Sequence, residues 1–468
     1  MTKAYDKAWL DGILYVLHKN GVNNKLWKLI KCLNSNLKTA IQTKYGKTRQ
    51  INIKDSIRQG GVLSVSLYAL LMDEINKDMR VTDLGIQVPG SDTRIPCLLW
   101  MDDVLLIETS KEKTQALLNM TDHTSKKYHV EFGMPKTKYL RPGKIRTPIE
   151  LKLGDDIIDE TENYTYLGEI NNKAMNLKDQ IKSIEGKVEA AYQTLVAVAE
   201  DQNFKTVKME CIWKLVKTCI VPIITYASET WEPTKAEIKK LNQILDRIIK
   251  RILMTPEATP REALYIETGL LDVETMIDIK RLNMMARLND NRSELMTTVL
   301  TNPDSKWMKR TKEIMEKYNI EDGDLTSKEK ANEAINLAVH MKMYQKVNAV
   351  REERSKLKFF LDGKMSWIAE QPAEYMVKLT RKQASTIFKA RTRMIKVKAN
   401  YKNEYPDQTC RACKIEIETQ QHALYECTAL NPTTSASNDS TELFCNDTEQ
   451  LKILAKKIDQ ICEILIET

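Results

Sequence analysis

The hydrophobic and polar positions of this chain follow different periods in its first and later parts. Before residue 35, apolar side chains recur every three or four positions, which predicts two short helices at 8–20 and 23–34. The segment 39–54 instead alternates around a turn at Tyr45–Thr48 and predicts a β-hairpin. Helical and strand patterns mix in this way up to about residue 170. The mixture predicts an α+β domain at the start of the chain.

Beyond this domain the helical period dominates. One long predicted helix carries an apolar stripe made of Leu177, Ile181, Ile184, Val188, Ala191, Leu195 and Val198. Two more helices are predicted at 205–221 and 235–254, and a polar, acidic stretch at 319–330 reads as an exposed connection. The segment 431–441 is linker-like, and a last helix is predicted at 447–466. We therefore expect a helical bundle after the α+β domain.

These changes of pattern predict a helix-rich α+β protein in five parts. The predicted parts are residues 1–172, 173–300, 301–372, 373–430 and 431–468. A chain of 468 residues is long enough for several domains, each with its own core.

Composition is typical of soluble, intracellular proteins. Hydrophobic residues make up 42% and charged residues 29%, with only 15 Gly and 13 Pro, which argues against fibrous and disordered classes. The nine cysteines are odd in number and mostly scattered, as in reduced compartments. The start lacks the apolar core of a signal peptide, and the longest apolar run, 219–227, is too short to span a bilayer. We expect a nuclear or cytoplasmic protein that is not secreted and has no membrane partner.

A basic run extends from Lys378 to Lys402 without one Asp or Glu, although the net charge is only +8. Such a run is often a solvated helix face, but those faces normally mix both signs. We interpret this one as binding nucleic acid phosphates. The residues expected to do so are Lys389, Arg391, Arg393, Lys396 and Lys398.

Two adjacent acids, Asp102 and Asp103, lie inside the apolar run at 97–107. Burying two uncompensated carboxylates is costly, and a divalent cation is the simplest compensation. Neighbouring strand residues point to opposite faces, so both carboxylates reach one cleft only at a hairpin turn. The alternative is a solvated turn in which both side chains cap backbone amides.

Four residues near the end of the chain have metal-ligand spacing. Cys410, Cys413, His422 and Cys427 follow the pattern C-x2-C-x8-H-x4-C, which predicts a tetrahedral Zn²⁺ site. Unrelated buried thiols with a surface histidine are the alternative. The position directly after the basic run suggests a module that binds nucleic acid, and a purely structural zinc is the other interpretation.

Five short segments, taken in order and spacing, resemble reverse transcriptases of non-long-terminal-repeat (LINE-like) retrotransposons. They are MTKAYD at 1–6, RQGGVLS at 58–64, MDD at 101–103, PKTK at 135–138 and YLG at 166–168. Each is weak alone, but the combination is specific. The stretches ITYASETW, TPREALYIETGLL and FKARTRMIKVKANY, the last followed by CRAC, look like the later regions of the same proteins.

The resemblance implies an RNA-directed DNA polymerase. The five predicted parts would be a polymerase palm with an antiparallel sheet, an α-helical thumb, a helical connection, the basic segment with its zinc module, and the terminal linker and helix. Two Mg²⁺ ions held by Asp102, Asp103 and an aspartate of the first segment would serve nucleotidyl transfer. The implied partners are an RNA template, a DNA primer or target, and dNTPs.

The resemblance also assigns roles by matching position. Tyr5 would lie under the sugar of the incoming nucleotide, and Lys136 would donate a proton to pyrophosphate. The remaining nucleotide-site residues would be Arg58, Gln59 and Gly60. The primer grip would be Tyr166, Leu167 and Gly168.

The first aspartate of the family pattern precedes Thr2 by two residues, so it falls before Met1. We therefore expect an amino-terminally truncated chain that lacks the fingers and is inactive by itself. A decayed element copy is favoured over a processed carboxy-terminal piece. The alternative function is a non-catalytic nucleic-acid-binding remnant. A group II intron or telomerase-like polymerase is disfavoured by the carboxy-terminal cysteine cluster.

Overall fold

The computed structural model describes two compact units, residues 1–176 and 177–468. The described residues are 7–52, 57, 60–89, 91–143, 147–198, 208–290, 298, 302–351, 355–364, 371–431 and 440–467. None of the helices in these ranges is long and apolar enough to cross a membrane.

Helices form the core of the first unit. They are α1 (Leu10–Lys19), α2 (Asn24–Asn34), α3 (Ser64–Arg80) and α4 (Lys111–Lys127). The two helices predicted before residue 35 are confirmed by α1 and α2. Leu67, Leu71 and Ile75 of α3 recur at helical spacing and are buried in this core.

The strands of the first unit pair in small sheets. The antiparallel pairs are β1 (Lys38–Thr39) with β4 (Ile51–Asn52), β2 (Gln42–Thr43) with β3 (Gly46–Lys47), β5 (Ile86–Gln87) with β6 (Arg94–Ile95), β7 (Cys97–Trp100) with β8 (Asp103–Leu106), and β12 (Asn163–Tyr166) with β13 (Glu169–Asn172). A three-stranded sheet has the order β10 (Leu151–Leu153), β11 (Asp156–Glu160), β9 (Lys138–Tyr139), and β9 and β11 run parallel. In the described part of the unit, pairing stays within these two- and three-stranded sheets.

The predicted hairpin at 39–54 is present, but its turn differs from the prediction. Thr43 pairs with Gly46, so Lys44 and Tyr45 form the turn instead of Tyr45–Thr48. The four short strands of this hairpin are exposed on both faces. Weak alternation without a buried face leaves the register poorly specified by the sequence, which explains the error.

The second unit is helical, as predicted. Its helices are α5 (Lys178–Val198), α6 (Met209–Leu215), α7 (Val221–Ile224), α8 (Lys235–Leu253), α9 (Arg261–Thr268), α10 (Val273–Asp290), α11 (Lys306–Tyr318), α12 (Lys328–Val350), α13 (Ser355–Gly363), α14 (Glu374–Lys378), α15 (Arg381–Arg391) and α16 (Thr448–Glu467). Residues 205–207 of the helix predicted at 205–221 lie outside the described residues, and the remainder is interrupted by a π-helical turn at Val216–Ile220. Pro222 follows one residue later and has no amide to continue the α-helical ladder, which accounts for the interruption.

One large core joins most of the second unit. It includes Ile184 of α5, Leu245 of α8, Phe388 of α15 and Ile458 of α16, together with Leu424 from the cysteine and histidine segment. A smaller core lies among α10, α11 and α12. Most of the predicted linker at 431–441 lies outside the described residues. The carboxy-terminal segments therefore pack on the same core as α5 and α8.

Candidate catalytic hairpin and metal centre

The two aspartates lie at the tip of the β7–β8 hairpin. Trp100 pairs with Asp103, so Met101 and Asp102 form a two-residue loop. Met101 has φ +55°, and hairpin loops of this length require positive φ. The structure thus places both acids at the turn, where the sequence predicted that they could share a cleft.

The apolar run does not bury the aspartates, contrary to the expectation from the sequence. Cys97 and Leu99 pack toward the core, whereas Trp100 is 61% exposed on the opposite face. Asp102 is half-buried and Asp103 is exposed. Because the tight loop carries both acids out of the core, desolvation alone does not require a cation here.

Two tyrosines of the β12 strand lie close to Asp103. Burial, and then the negative charge of Asp103, raise the pKa of Tyr164 and of Tyr166. The Tyr164 hydroxyl donates a hydrogen bond to the carbonyl of Lys136, with an O···O distance of 3.3 Å. The MDD, PKTK and YLG segments therefore converge, although they are far apart in sequence.

The loop of the β12–β13 hairpin explains why the YLG segment ends in a glycine, Gly168. Tyr166 pairs with Glu169, which leaves Leu167 and Gly168 as the two loop residues. Both have positive φ, +49° and +83°, as a two-residue hairpin loop of the I′ type requires. Glycine is the residue that adopts this conformation at least cost.

The remaining predicted polymerase residues are only partly described. Lys136 is exposed at the end of a 3₁₀ turn, Met134–Lys136. Gly60 has φ +79° and lies on the exposed segment before α3. Tyr5, Arg58 and Gln59 lie outside the described residues. Their roles stay predictions.

Within the described ranges, one cluster alone gathers three or more metal-ligating side chains, and it is the predicted cysteine and histidine set. The ligand atoms of Cys410, Cys413, His422 and Cys427 all lie within 4.8 Å of one another. The Sγ atoms of Cys410 and Cys427 are 3.9 Å apart, and Cys413 Sγ is 3.3 Å from His422 Nε2. These four side chains could hold a metal ion. No third described carboxylate joins Asp102 and Asp103 in such a cluster.

Local backbone geometry brings the four ligands together. The amide of Lys414 donates to the carbonyl of Cys410 at 2.9 Å, and Lys414 has φ +59°, so the chain reverses tightly after the second cysteine. His422 begins a π-helical turn, and the amide of Cys427 donates to its carbonyl at 2.7 Å. The C-x2-C loop and the His422 turn thus present their ligands to one point.

The two cysteines of the loop have different electrostatic environments. Hydrogen bonds from the amides of Glu416 and Ile415 lower the pKa of Cys413 to about 6. Burial raises the pKa of Cys410 to about 11. Since the thiolate is the ligand form, Cys413 is prepared for coordination and Cys410 must lose its proton when a cation binds.

Sequence reasoning missed Glu418, whose side chain connects the C-x2-C loop to the basic run. Its fully buried carboxylate accepts hydrogen bonds from the Arg411 guanidinium at 2.6 Å and from the Lys398 amide at 2.9 Å. Burial by itself would raise the pKa of Glu418, but the hydrogen bonds from Arg411 and the Lys398 amide, together with the Arg411 charge, outweigh burial and lower it. The sequence contained a signal for this ion pair, because Arg411 and Glu418 carry opposite charges on either side of the loop.

The basic run does not form one continuous exposed surface. Arg381 is buried and donates to the carbonyls of Ile252 and Arg251, near the end of α8. Arg391 is buried beside Glu267, with an ion-pair distance of 3.4 Å. These arginines satisfy buried oxygens and are not placed to bind phosphates.

The other residues of the run remain at or near the surface. Lys389 is half-buried, and burial lowers its pKa. Arg393 and Lys396 are exposed. Lys398 is half-buried and pairs with Asp407 at 3.3 Å.

Comparison with known proteins identifies a family for the first part of the chain. Residues 1–170 match the family described as reverse transcriptase (RNA-dependent DNA polymerase). This part of the chain is therefore a reverse transcriptase domain, as the sequence motifs predicted.

A curated relative narrows the class further. The chain is 23% identical over 314 residues to the retrovirus-related Pol polyprotein from type-1 retrotransposable element R2 of Popillia japonica. The match covers 62% of this chain and 41% of the relative, so the chain spans well under half of the relative's length. The predicted relationship to the reverse transcriptases of non-long-terminal-repeat retrotransposons is confirmed.

Proposed function

We propose that the first unit is a polymerase palm that joins deoxynucleotides on an RNA template by extending a DNA primer. The observation that carries this proposal is the convergence of Asp103, Tyr164 and the Lys136 backbone, which lie in or directly beside three separate polymerase segments. A hairpin tip with two carboxylates is suited to hard cations, which prefer oxygen ligands.

Each residue of the site has a proposed task. Asp102 and Asp103 would hold Mg²⁺, which when bound would supply activation of the primer hydroxyl and charge neutralisation on the triphosphate. Lys136 donates a proton to the leaving pyrophosphate. Tyr166 at the end of β12, with the loop residues Leu167 and Gly168, supports the primer end. The nucleotide site is completed by Tyr5, Arg58, Gln59 and Gly60.

Two carboxylates are fewer than a two-ion site requires, and the described residues supply no third beside Asp102 and Asp103. The same observation favours the second candidate function, a nucleic-acid-binding protein without catalysis.

Primer extension on an RNA template in Mg²⁺ tests the polymerase assignment. Asp102→Ala should abolish the extension that the chain supports. Asp92→Ala removes an exposed acid from the turn between β5 and β6 of the same unit and should leave extension unchanged. Equal extension by wild type and Asp102→Ala would reject the catalytic role of the hairpin.

For the second unit we propose a helical thumb followed by a zinc-bearing segment that binds nucleic acid. A tetrahedral zinc ion, with Zn–S near 2.3 Å and Zn–N near 2.0 Å, holds its ligand atoms roughly 3.5–3.8 Å apart. The 3.9 Å and 3.3 Å separations of the two ligand pairs fit such an ion after small adjustments. Phosphates would be bound by Lys389, Arg393, Lys396 and Lys398, whereas buried Arg391 is left out of this surface.

Removal of one ligand tests this assignment. Cys413→Ser should lower the zinc content measured by elemental analysis and weaken salt-sensitive binding to RNA. Cys211→Ser changes an exposed cysteine of the same unit and serves as the control. If Cys413→Ser loses zinc yet binds RNA as tightly as wild type, the metal site is purely structural.

A further inference from the structure

The hairpin of strands β1 to β4, residues 38–52, carries positive charge only, and we call it the basic hairpin. The sequence has no Asp or Glu from residue 12 to residue 54. Lys19, earlier in this stretch, pairs with Glu74 at 2.7 Å. Among the residues that the structure describes, the cations of the basic hairpin form no ion pair. These cations are Lys38, Lys44, Lys47 and Arg49.

Two of these cations flank an aromatic side chain at the tip of the basic hairpin. Thr43 pairs with Gly46, so Lys44 and Tyr45 form the loop, and Lys47 follows directly in β3. The Lys44 Nζ lies 4.9 Å from the centroid of the Tyr45 ring. The register thus keeps both lysines within two positions of one aromatic ring.

The tip is ordered by its own hydrogen bonds and is open to solvent. The Thr43 hydroxyl accepts a hydrogen bond from the Tyr45 amide at 3.2 Å and donates one to the Gly46 carbonyl at 3.0 Å. Tyr45 is 88% exposed, and a Cβ on Gly46 would meet no heavy atom within 4 Å. A ligand can therefore reach the ring and the backbone beside it.

Packing inside the first unit does not explain the apolar and aromatic side chains of the basic hairpin. All four strands are exposed on both faces, and Ile41 and Ile51 are also exposed. A two-stranded hairpin without a covered face is at best marginally stable in water. A ligand that covers the tip would bury Tyr45 and stabilise the hairpin.

We propose that the tip of the basic hairpin binds an unpaired stretch of the RNA template. One base stacks on Tyr45, and the flanking phosphates contact Lys44 and Lys47. The uniform positive charge selects a polyanion, and the exposed ring selects one whose bases are not already stacked in a duplex. The match to RNA-dependent DNA polymerases makes RNA the polyanion concerned.

This inference rests on the proposed polymerase function and adds a template contact to it. The contact lies outside the five polymerase segments and outside the basic run of the second unit.

Fluorescence anisotropy of the full chain with labelled single-stranded RNA tests the site. Tyr45→Leu should weaken binding on the order of fivefold or more, whereas Tyr45→Phe should bind as wild type because it keeps the ring. Lys44→Met and Lys47→Met should each make the plot of log Kd against log salt shallower by about 0.7, and Tyr45→Leu should leave that slope unchanged. With duplex RNA, Tyr45→Leu should bind as wild type, since paired bases offer no free face.

Two matched controls come from the same unit. Lys111→Met removes an exposed lysine from α4, and Tyr15→Leu removes an exposed tyrosine from α1. Both should bind RNA as wild type does. The Tm of every variant checks its folding.

Photocrosslinking of RNA that contains 4-thiouridine locates the contact. Peptides that include residues 44–47 should be crosslinked in wild type and lost in Tyr45→Leu, while crosslinks in the second unit stay. Absence of the hairpin crosslink, binding by the hairpin variants that equals the controls, or a wild type that binds no RNA overturns the proposal. Failure of the polymerase assignment is seen separately, as primer extension that Asp102→Ala does not reduce. Weaker RNA binding by the hairpin variants would then still support the tip as a contact for single-stranded RNA.

Discussion

At the scale of single residues, Glu74 is a buried charge that joins three helical segments of the first unit. It is 3% exposed and accepts hydrogen bonds from Lys19 at 2.7 Å, Lys77 at 2.8 Å and the Tyr128 hydroxyl at 2.9 Å. Burial by itself would raise the pKa of Glu74, but these hydrogen bonds outweigh burial and lower it to about 2. The ionised carboxylate therefore stabilises the folded state.

The sign of this shift predicts a loss of stability in acid. Because the folded pKa lies below the unfolded value of 4.5, the contribution of Glu74 is present above that pH and is lost as pH falls toward 2. Glu74→Gln should cost about 2–3 kcal/mol at neutral pH and flatten the acid dependence of unfolding. Denaturant titrations at several pH values, followed by hydrogen exchange of α3 peptides, measure the free energy of unfolding and its dependence on pH.

Glu112→Gln is the matched control for Glu74→Gln, since Glu112 is an exposed glutamate of the same unit. It should change stability by only a few tenths of a kcal/mol. Identical acid profiles for wild type and Glu74→Gln would contradict the role assigned to the buried carboxylate.

At the scale of elements, the end of α9 depends on a glycine. Gly269 has φ +61° in the C-cap position, and the amide of Ala373 donates to the carbonyl of Glu267 at 2.9 Å. A Cβ on Gly269 would lie 2.4 Å from the Pro372 nitrogen. The residues before α14 therefore pack directly on the helix end, where backbone atoms leave no room for a side chain.

Gly269→Ala should destabilise the second unit by more than about 2 kcal/mol, because it adds left-handed strain to a backbone clash. Gly186→Ala is the matched control in α5. A Cβ there meets no heavy atom within 4 Å, so alanine should be neutral or stabilising by about 0.5–1 kcal/mol. Thermal unfolding of both variants provides the comparison, and equal effects would refute the close packing at Gly269.

At the scale of the whole molecule, the two units have separate cores, and the cysteine and histidine segment belongs to the core of the second. Gln420 of this segment donates to the carbonyl of Ala390 at 2.7 Å, at the end of α15. Thr386 of α15 in turn donates to Asp459 of α16 at 2.7 Å. Loss of a bound metal should therefore loosen these helices together.

Hydrogen exchange with and without a zinc chelator measures this coupling. We expect faster exchange in peptides from 409–427, α15 and α16 after chelation, because thiolates left without a cation repel one another. Peptides from the first unit should be unaffected. Faster exchange across both units, or no change at the cysteine segment, would contradict the proposed metal centre.

Much of this architecture is encoded locally and could be predicted from the sequence. The helix predicted at 235–254 is α8, and its start is set by a capping box between Thr234 and Glu237. The two aspartates were expected at a hairpin turn, which the β7–β8 register confirms. The spacing of the cysteines and His422 also indicated a shared site.

The sequence by itself therefore determined helix periods, tight turns and ligand spacing, since each depends on residues close along the chain. Only the tertiary structure decided which charges are buried. Arg391 and Arg393 are two positions apart in one basic run, yet the first is buried beside Glu267 and the second lies exposed over Phe359. Glu267 is 124 residues from Arg391, and no local pattern encodes a partner at that distance. Asp103, Tyr164 and Lys136 are likewise far apart along the chain, so no local pattern could predict their convergence.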